Sequence, residues 1–472
     1  MPRVKPTLAG GFRDYGPEDM IQRQAMIATI QSVFERFGYD PLETPLVERR
    51  AVLTGNDPNF RMHLFDTRIA GSRIVDDPEQ AMALRFDLTV PLARFVAAHP
   101  DLPRPFKRYQ RGDVLRGEKP QAGRFREFMQ FDVDIVGSDQ AIADAEIIAV
   151  MVETLRELVG IRFSVRFNNR KLLNGLPEYA GYDSSLQADV LRIIDKQPKV
   201  GRAAVLRELA KPPRAQSGTP DSEEGADQVE AAFGPGLSAT AVEKVGAFLD
   251  LDGSTDQLLG QASDLFQGVR IAEEGLGELR EIVIALRSMG VPEELWRFDL
   301  SIARGLAYYT GPVFEAFLED LPEIGSVFGG GRYDDLVSRF MAGSFPATGV
   351  SVGIDRLFAA LKQLGRITTK PTLTQALVTV MDRSAMADYL SMTGELRRAG
   401  VRTMVWLGME TGFKAQLAYA TRQEIPVVVI SGSNERHDGS VTIKDMARRR
   451  QTTVPRADLV RTVASILQTS DT

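Results

Sequence analysis

The 472-residue chain contains no cysteine. Disulfides, thiolate zinc sites and cysteine nucleophiles are therefore excluded. Histidine is almost as scarce: His63, His99 and His437 stand far apart, which argues against a histidine-rich metal site, and no metal-ligand set is assigned. No apolar run approaches the ~20 residues that span a bilayer. The first residues, MPRVKPTLAGGFRDYG, lack the apolar core of a secretory signal. A cytoplasmic location without a membrane partner is the expectation. Neither G-x-x-x-x-G-K-[ST] nor a G-x-G-x-x-G opening a helix after a strand is present. A bound nucleotide would have to be held by another architecture.

What the chain does contain is ordinary for a folded protein. Hydrophobic residues make up 43% and charged residues 25%, which excludes wholesale disorder. The length allows two or three domains with proper cores. The net charge of −6 does not advertise a nucleic-acid binder, but it is unevenly spread. From Pro371 to Thr472 there are 13 Lys+Arg against 10 Asp+Glu, a net of +3 that leaves −9 on the remainder. A mildly basic tail on an acidic body suits a module that contacts RNA, although chance surface charge gives the same numbers.

Periodicity supplies a coarse architecture. After Gly16-Pro17-Glu18-Asp19, a helix start, Met26, Ile27, Ile30, Val33, Phe34 and Phe37 repeat at helical spacing. Gly38 then offers a stop, and Tyr39 to Val47 reads as extended. FKRYQRGDVLR and GRFREFMQFDVDIVG read as two antiparallel strands joined by the loop Gly117 to Gly123. In the second of them Phe125, Glu127, Met129, Phe131, Val133 and Ile135 share one face. Arg124, Arg126, Phe128, Gln130, Asp132 and Asp134 share the other, which is either wet or a site. Ala141 to Leu158 reads as an apolar helix, Lys171 to Leu295 as a helical insertion, and Lys211 to Gln228 as a mobile surface loop rich in proline, glycine, serine and acid. A further helix is expected at Asp355 to Leu364. The tail offers the strands ALVTVM, VRTMVWL, PVVVIS and VTIKDM, the first three separated by helices, which is the pattern of a small α/β domain with a partly parallel sheet.

Three remote stretches concentrate chemistry: Arg116 to Gly137, Ala303 to Phe317, and Gly329 to Leu357. Each sets arginines beside glycines and either carboxylates or tyrosines. Guanidinium forks match phosphate oxygens, and glycine lets a backbone approach a nucleotide closely. A lone arginine is more often half of a surface ion pair. It is the joint pattern that points to a site for a phosphate compound and a small polar ligand together.

The order and wording of these stretches resemble the class II aminoacyl-tRNA synthetases, and within them the histidyl-tRNA synthetase family. The helix ending at Gly38 and the strand after it resemble motif 1, which forms the dimer interface in that family, so a homodimer is implied. Arg116 matches the motif 2 arginine that binds the α-phosphate of ATP, and Glu118 the acid near the adenine. Arg126 is implied as a further ATP contact. Gln121 lies in the loop that reaches the acceptor end of the tRNA. GGGRY (329–333) and Gly353-Ile354-Asp355-Arg356 match motif 3, with Arg356 on the γ-phosphate. Arg304-Gly305-Leu306, followed by Tyr308-Tyr309, resembles the peptide peculiar to histidine-specific enzymes. The resemblance gives Arg304 the histidine carboxylate and the α-phosphate, where it would stabilise charge developing on phosphorus. It gives Tyr309 and Asp134 the imidazole ring, whose neutral form offers one donor and one acceptor. Tyr308 is included in the histidine site. Asp87, Thr89 and Gln130 match positions holding the α-amino group.

The fold so implied is an α+β catalytic core with an antiparallel sheet flanked by helices (1–170 and 296–364), a helical insertion (171–295), a linker (365–371) and a small α/β anticodon-binding domain (372–472). The function implied is ligation of L-histidine to its tRNA, with ATP as substrate and Mg²⁺ carried on its phosphates. An alternative is a catalytically inactive, histidine-sensing regulatory subunit of ATP phosphoribosyltransferase, a paralogue that typically lacks the anticodon-binding domain. Ala307, where many relatives have an acid, favours that alternative. The domain-sized tail and the intact Arg116, Arg304 and Arg356 oppose it. Met129 replaces a histidine of many bacterial relatives, and by strand parity it faces away from Gln130, so the swap is expected to concern packing.

Overall fold

The computed structural model describes residues 3–55, 64–71, 77, 79–119, 125–158, 160–212, 234–302, 309–367, 370–410 and 412–469. They form two compact units. One comprises Met1–Arg13 and Met26–Arg366, the other Asp14–Ala25 and Ile367–Thr472.

The larger unit is built on an eight-stranded sheet. Its strands in chain order are β1 (Asp40–Pro41), β2 (Phe106–Leu115), β3 (Glu127–Val136), β4 (Phe163–Asn169), β5 (Trp296–Phe298), β6 (Pro312–Leu318), β7 (Ser326–Arg332) and β8 (Ala347–Gly353). In space the order is β1-β2-β3-β8-β7-β6-β4-β5. Pairing is antiparallel throughout the interior and parallel only at the two edges. The hairpin of β2 and β3 sets Leu115 opposite Glu127 and Arg108 opposite Asp134.

Strand alternation then gives the sheet two unlike faces. One carries Tyr109, Phe131, Val133, Val350, Val352, Phe328, Phe314 and Phe167, all buried. Helix α1 (Pro17–Arg36) covers part of this face, with the Phe34 ring 4.9 Å from Phe131 and 6.3 Å from Tyr109. As expected, α1 opens with Glu18 and Asp19 in its first turn, and Gly38 beyond it has a φ of 74°. Helix α2 (Thr89–Ala98) follows the short strand Met82–Leu84, which joins Val47–Arg49 and Phe65–Thr67 in a small antiparallel sheet. Helix α3 (Ala141–Glu157) packs on the apolar face of the large sheet with Ala145, Ile147, Ile148 and Val152 fully buried. Its Asp144 meets Arg332 of β7 at 2.6 Å.

Every described element between β4 and β5 is helical. These helices stay with the sheet as one unit. Helix α4 (Arg270–Ser288) is tied back to the end of β4, where Asn169 and Lys171 each meet Glu278 at 2.6 Å. Most of the stretch expected as a mobile loop at Lys211 to Gln228 lies outside the described residues. Helix α5 (Ile354–Gln363) closes the larger unit directly after β8.

The C-terminal unit holds five strands, β9 (Ala376–Val378), β10 (Thr403–Val405), β11 (Val427–Ile430), β12 (Ser440–Asp445) and β13 (Arg450–Pro455), in the order β10-β9-β11-β12-β13. The first three are parallel and the last two antiparallel. Helices α6 (Met386–Arg398) and α8 (Leu459–Gln468) pack on Ala376, Val378, Val427 and Val429, and α7 (Phe413–Arg422) packs on Leu377 and Val428 of the opposite face. Coverage on both faces explains why these strands are almost wholly apolar. The tail reading missed β13. It is an exposed edge strand, RQTTVP, with no buried alternation to reveal it. Among the described residues no helix is long and apolar enough to cross a membrane.

Candidate active site

The second face of the large sheet is polar at its centre. The registers align Arg108 and Gln110 of β2 with Asp134 and Asp132 of β3, and these with Gly349 and Ser351 of β8 and Gly331 and Gly329 of β7. Side chains from β3 therefore lean over a floor of glycine. The absence of a side chain at Gly349 is what admits Asp134: a Cβ there would lie 2.0 Å from its Oδ1. At Gly331 a Cβ would lie 3.0 Å from the ring of Tyr309. Gly331 and Gly349 are paired across β7 and β8, so Tyr309 and Asp134 come to neighbouring positions over the same floor. One wall is the segment before α2, where the Leu88 carbonyl accepts a hydrogen bond from Arg108 Nη2 at 3.3 Å.

Charge in this trough is buried. Asp87, Asp132 and Asp134 are each 2% exposed and Arg108 is 0% exposed. Burial pushes the Asp87 carboxyl up to about 6, against a hydrogen bond from the Val90 N–H and the charges of Arg116 and Arg108. Burial likewise raises Asp132 and Asp134, with Arg108 pulling both back. Asp134 meets Arg108 Nη2 at 2.8 Å through Oδ2 and accepts a 2.5 Å hydrogen bond from the Tyr333 hydroxyl at Oδ1. Gln130 donates to Ser351 Oγ at 2.6 Å. Asp87 Oδ2 and Gln130 Oε1 accept no hydrogen bond from the described residues although both are buried. Unsatisfied buried acceptors are rare, and here they face a site where a ligand cation would satisfy them.

The phosphate-binding candidates border this trough. The Arg116 N–H donates to the Arg126 carbonyl at 2.8 Å, so these two arginines face each other where the β2–β3 hairpin continues. Arg116 Nε donates to the Phe86 carbonyl, and its guanidinium lies 5.0 Å from the Phe128 ring centroid. Arg126 Nε donates to the Glu118 carbonyl at 3.2 Å, and the Glu118 side chain is exposed. Arg356 stands in the first turn of α5 with Nη1 on the Ser326 carbonyl at 2.5 Å. Asp355 beside it accepts from the Met129 N–H at 2.6 Å and from Arg13 at 3.0 Å, which joins α5, β3 and the N-terminal segment.

The family model described as Histidyl-tRNA synthetase matches residues 11–357, and that described as Anticodon binding domain matches residues 375–466. The chain belongs to the histidyl-tRNA synthetase family. It is 42% identical to a Histidine--tRNA ligase of Ruegeria sp. (strain TM1040), over all of this chain and 98% of that protein. It is also 42% identical to a Histidine--tRNA ligase of Paracoccus denitrificans (strain Pd 1222), over 99% of this chain and 98% of that one. Among solved structures, histidyl-tRNA synthetase from Nostoc sp. PCC 7120 superposes with a TM-score of 0.81 at 31% identity, covering 98% of this chain and 100% of that one. The antiparallel sheet with its helices is thus the class II synthetase fold.

Set beside the synthetase family, the residues singled out from sequence fall into three groups. Gln130, Asp134 and Tyr309 come together over the glycine floor, Asp87 stands within the field of Arg108 and Asp132, and Thr89 opens α2 two residues beyond it. Arg116, Glu118 and Arg126 gather at one end of β3, and Arg356 stands near Gln130 at the start of α5. Gln121, Arg304, Tyr308 and Ala307 lie outside the described residues. Met129 does turn from Gln130, and its backbone also serves α5 through Asp355. Sequence reading left out Arg108, and it gave Asp132 and Tyr333 no role of their own. A signal existed for Arg108: laying the two predicted strands as a hairpin puts it opposite Asp134.

Proposed function

We propose that the chain is a class II histidine–tRNA ligase. The observation that carries this reading is the succession, along one chain, of the synthetase match over 11–357 and the anticodon-binding match over 375–466. It joins an amino-acid-activating part to a tRNA-reading part, which is more than a histidine-sensing regulatory subunit of ATP phosphoribosyltransferase would need.

In the first step a carboxylate oxygen of L-histidine attacks the α-phosphorus of ATP in line. The bond to the β-phosphate breaks, giving histidyl-adenylate and pyrophosphate. In the second, the terminal ribose hydroxyl of the tRNA attacks the activated carbonyl and AMP leaves. Asp87 and Gln130 receive the α-ammonium group, and their unpartnered oxygens support this. Asp134 and Tyr309, with Tyr308, hold the imidazole. Failure to pair these buried groups is what penalises rival amino acids. Arg116, Glu118, Arg126 and Arg356 hold ATP, which enters with Mg²⁺ on its phosphates. Arg304 stabilises the charge growing on phosphorus, and Gln121 meets the acceptor end of the tRNA. Residues 1–170 and 296–364 form the catalytic core, 171–295 a helical insertion, 365–371 a linker and 372–472 the anticodon-binding domain. In that last domain a cavity of about 440 Å³ lined by Trp406, Met409, Tyr419 and Arg422 has the aromatic and cationic walls that suit a nucleobase. The enzyme works in the cytoplasm as a homodimer, supported by the likeness of α1 and the strand after it to motif 1.

The test is ATP–pyrophosphate exchange followed by tRNA charging, with Arg304→Ala alongside the parent. Exchange should require histidine and fall by ~100-fold or more in the variant, the scale of a lost transition-state charge contact. Exchange that ignores histidine, or that survives the substitution, refutes the mechanism. Exchange without transfer to tRNA points to a protein that has lost its ligase role.

A further inference from the structure

Arg108 lies beneath the trough, and no residue role proposed so far uses it. It is one of the largest fully buried side chains of the protein. Of its guanidinium nitrogens, Nη2 donates to the Leu88 carbonyl and pairs with Asp134, whereas Nε and Nη1 have no hydrogen-bond partner among the described residues. A buried arginine kept for structure normally fills its fork, because each idle N–H forfeits the hydration it had in water. Here the charge is kept and most of the fork is idle. The chain has placed it among Asp87, Asp132 and Asp134, each of which feels its field.

Asp134 has a particular need of that charge. Asp132 stands two residues away on the same face of β3, and both are buried. Two such carboxyls cannot both stay ionised without a cation nearby. A protonated carboxyl donates a hydrogen bond where an ionised one only accepts. The titratable and charged groups set around Asp134 are Arg108 from β2, Asp132 from its own strand, Tyr333 after β7, Tyr309 before β6 and Tyr39 after α1, and Asp87 before α2 acts on the neighbouring Asp132. Only Arg108 among them is a cation in contact with Asp134.

We propose that Arg108 is a positioning residue for histidine: it holds Asp134 as an ionised, acceptor-only carboxylate, so that an imidazole N–H can donate to it. This rests on the assignment of Asp134 to the imidazole given above. Tyr333 occupies one lone pair of Asp134 and Arg108 faces the other oxygen, which leaves acceptor capacity for the ring.

The experiment is histidine-dependent ATP–pyrophosphate exchange on R108M, R108K, D134N and the double variant R108M/D134N, from about pH 5 to pH 8. R108M should raise KM for histidine ~tenfold, leave KM for ATP within about twofold, and move the acid limb of kcat/KM for histidine up by about one pH unit. The titration of free histidine is common to all the proteins and cancels in the comparison. R108K keeps the charge and should recover most of the loss. Because Arg108 acts through Asp134, the double variant should be no worse than D134N. Losses that multiply, equal failure of R108K and R108M, or an unshifted acid limb would overturn the proposal. If R108M does not fold, R108K decides: its acid limb should stay where the parent's is, and a shift of about one unit would count against the inference. An unchanged histidine KM in D134N would instead sink the assignment of Asp134 itself, whatever the arginine variants do.

Discussion

A methyl group added at Gly349 would meet Asp134 Oδ1 at 2.0 Å and the Val133 carbonyl at 2.8 Å, whereas one at Gly329 would find, among the described residues, only Ser326 Oγ at 4.0 Å. The two glycines share the floor of the trough and differ in what they permit. Gly349→Ala must displace the carboxylate or the backbone, and should cost ~1–3 kcal/mol of stability together with histidine binding. Gly329→Ala should stay within about 0.5 kcal/mol of the parent and still raise a substrate KM, because its methyl projects into the space a ligand would fill. Chemical denaturation and exchange kinetics separate the two. Asp87 supplies a test in pH. Its carboxyl titrates at about 6 in the fold because burial disfavours the charge, against about 3.9 in an unfolded chain. Between these values the unfolded state has released a proton that the folded state keeps, so the contribution of Asp87 to stability falls as pH rises. Asp87→Asn keeps an oxygen for the Val90 N–H and removes the titration. The stability of the parent minus that of the variant should therefore drop by on the order of 2 kcal/mol from pH 4 to pH 6 in unliganded protein. A flat difference would mean that the carboxyl titrates normally. At this scale the polar parity of β3 was legible in the sequence, because a strand alternates by rule. The buried cation opposing it was not, because it comes from the neighbouring strand, and only a register shows what stands across from what.

Arg332 ends β7 with Nη2 2.6 Å and Nε 3.0 Å from Asp144 of α3, and it also donates to the carbonyls of Ser138 and Gln140. Burial pushes Asp144 up to about 6, and Arg332 opposes that rise. Arg332→Met would leave a carboxyl on α3 without its cation and take a donor from each of two carbonyls, a loss of ~3–5 kcal/mol. Adding Asp144→Leu should recover part of it, since removing both charges is cheaper than leaving one. Urea unfolding midpoints of the three proteins would show this, and a double variant no better than the single would argue that the carbonyl contacts dominate. Most helices and long strands could be read from periodicity, because each buries one face against a single layer. The three-residue strands Val47–Arg49 and Phe65–Thr67 could not, since a period of two needs more than three residues to be recognised. The edge strand β13 hid for the complementary reason, having five of its six residues exposed.

The whole molecule divides between Arg366 and Ile367, and the grouping of Asp14–Ala25 with the C-terminal unit had no sign in the sequence: helical spacing says which face of a helix is buried, not against which part of the chain. Function divides along the chain as well. On the proposed site, activation of histidine would use charges buried in the larger unit, which mobile ions screen weakly. Recognition of tRNA must neutralise phosphates at the surface, and its affinity follows released counterions. The two half-reactions should thus respond differently to salt. Raising KCl from about 50 to about 200 mM should raise KM for tRNA by ~tenfold or more and change KM for histidine in pyrophosphate exchange less than about twofold. Arg422 narrows the test. It stands 5.9 Å from the Tyr419 ring centroid at the cavity that also holds Trp406. If that cavity takes a nucleotide, Arg422→Ala should raise KM for tRNA several-fold and lower the slope of log KM against log salt by about 0.7–0.9, the share of one phosphate contact. A slope that does not change while KM rises would assign Arg422 to stacking on the base and leave the phosphate to another cation; a KM that does not move would place the RNA on a different face of the unit.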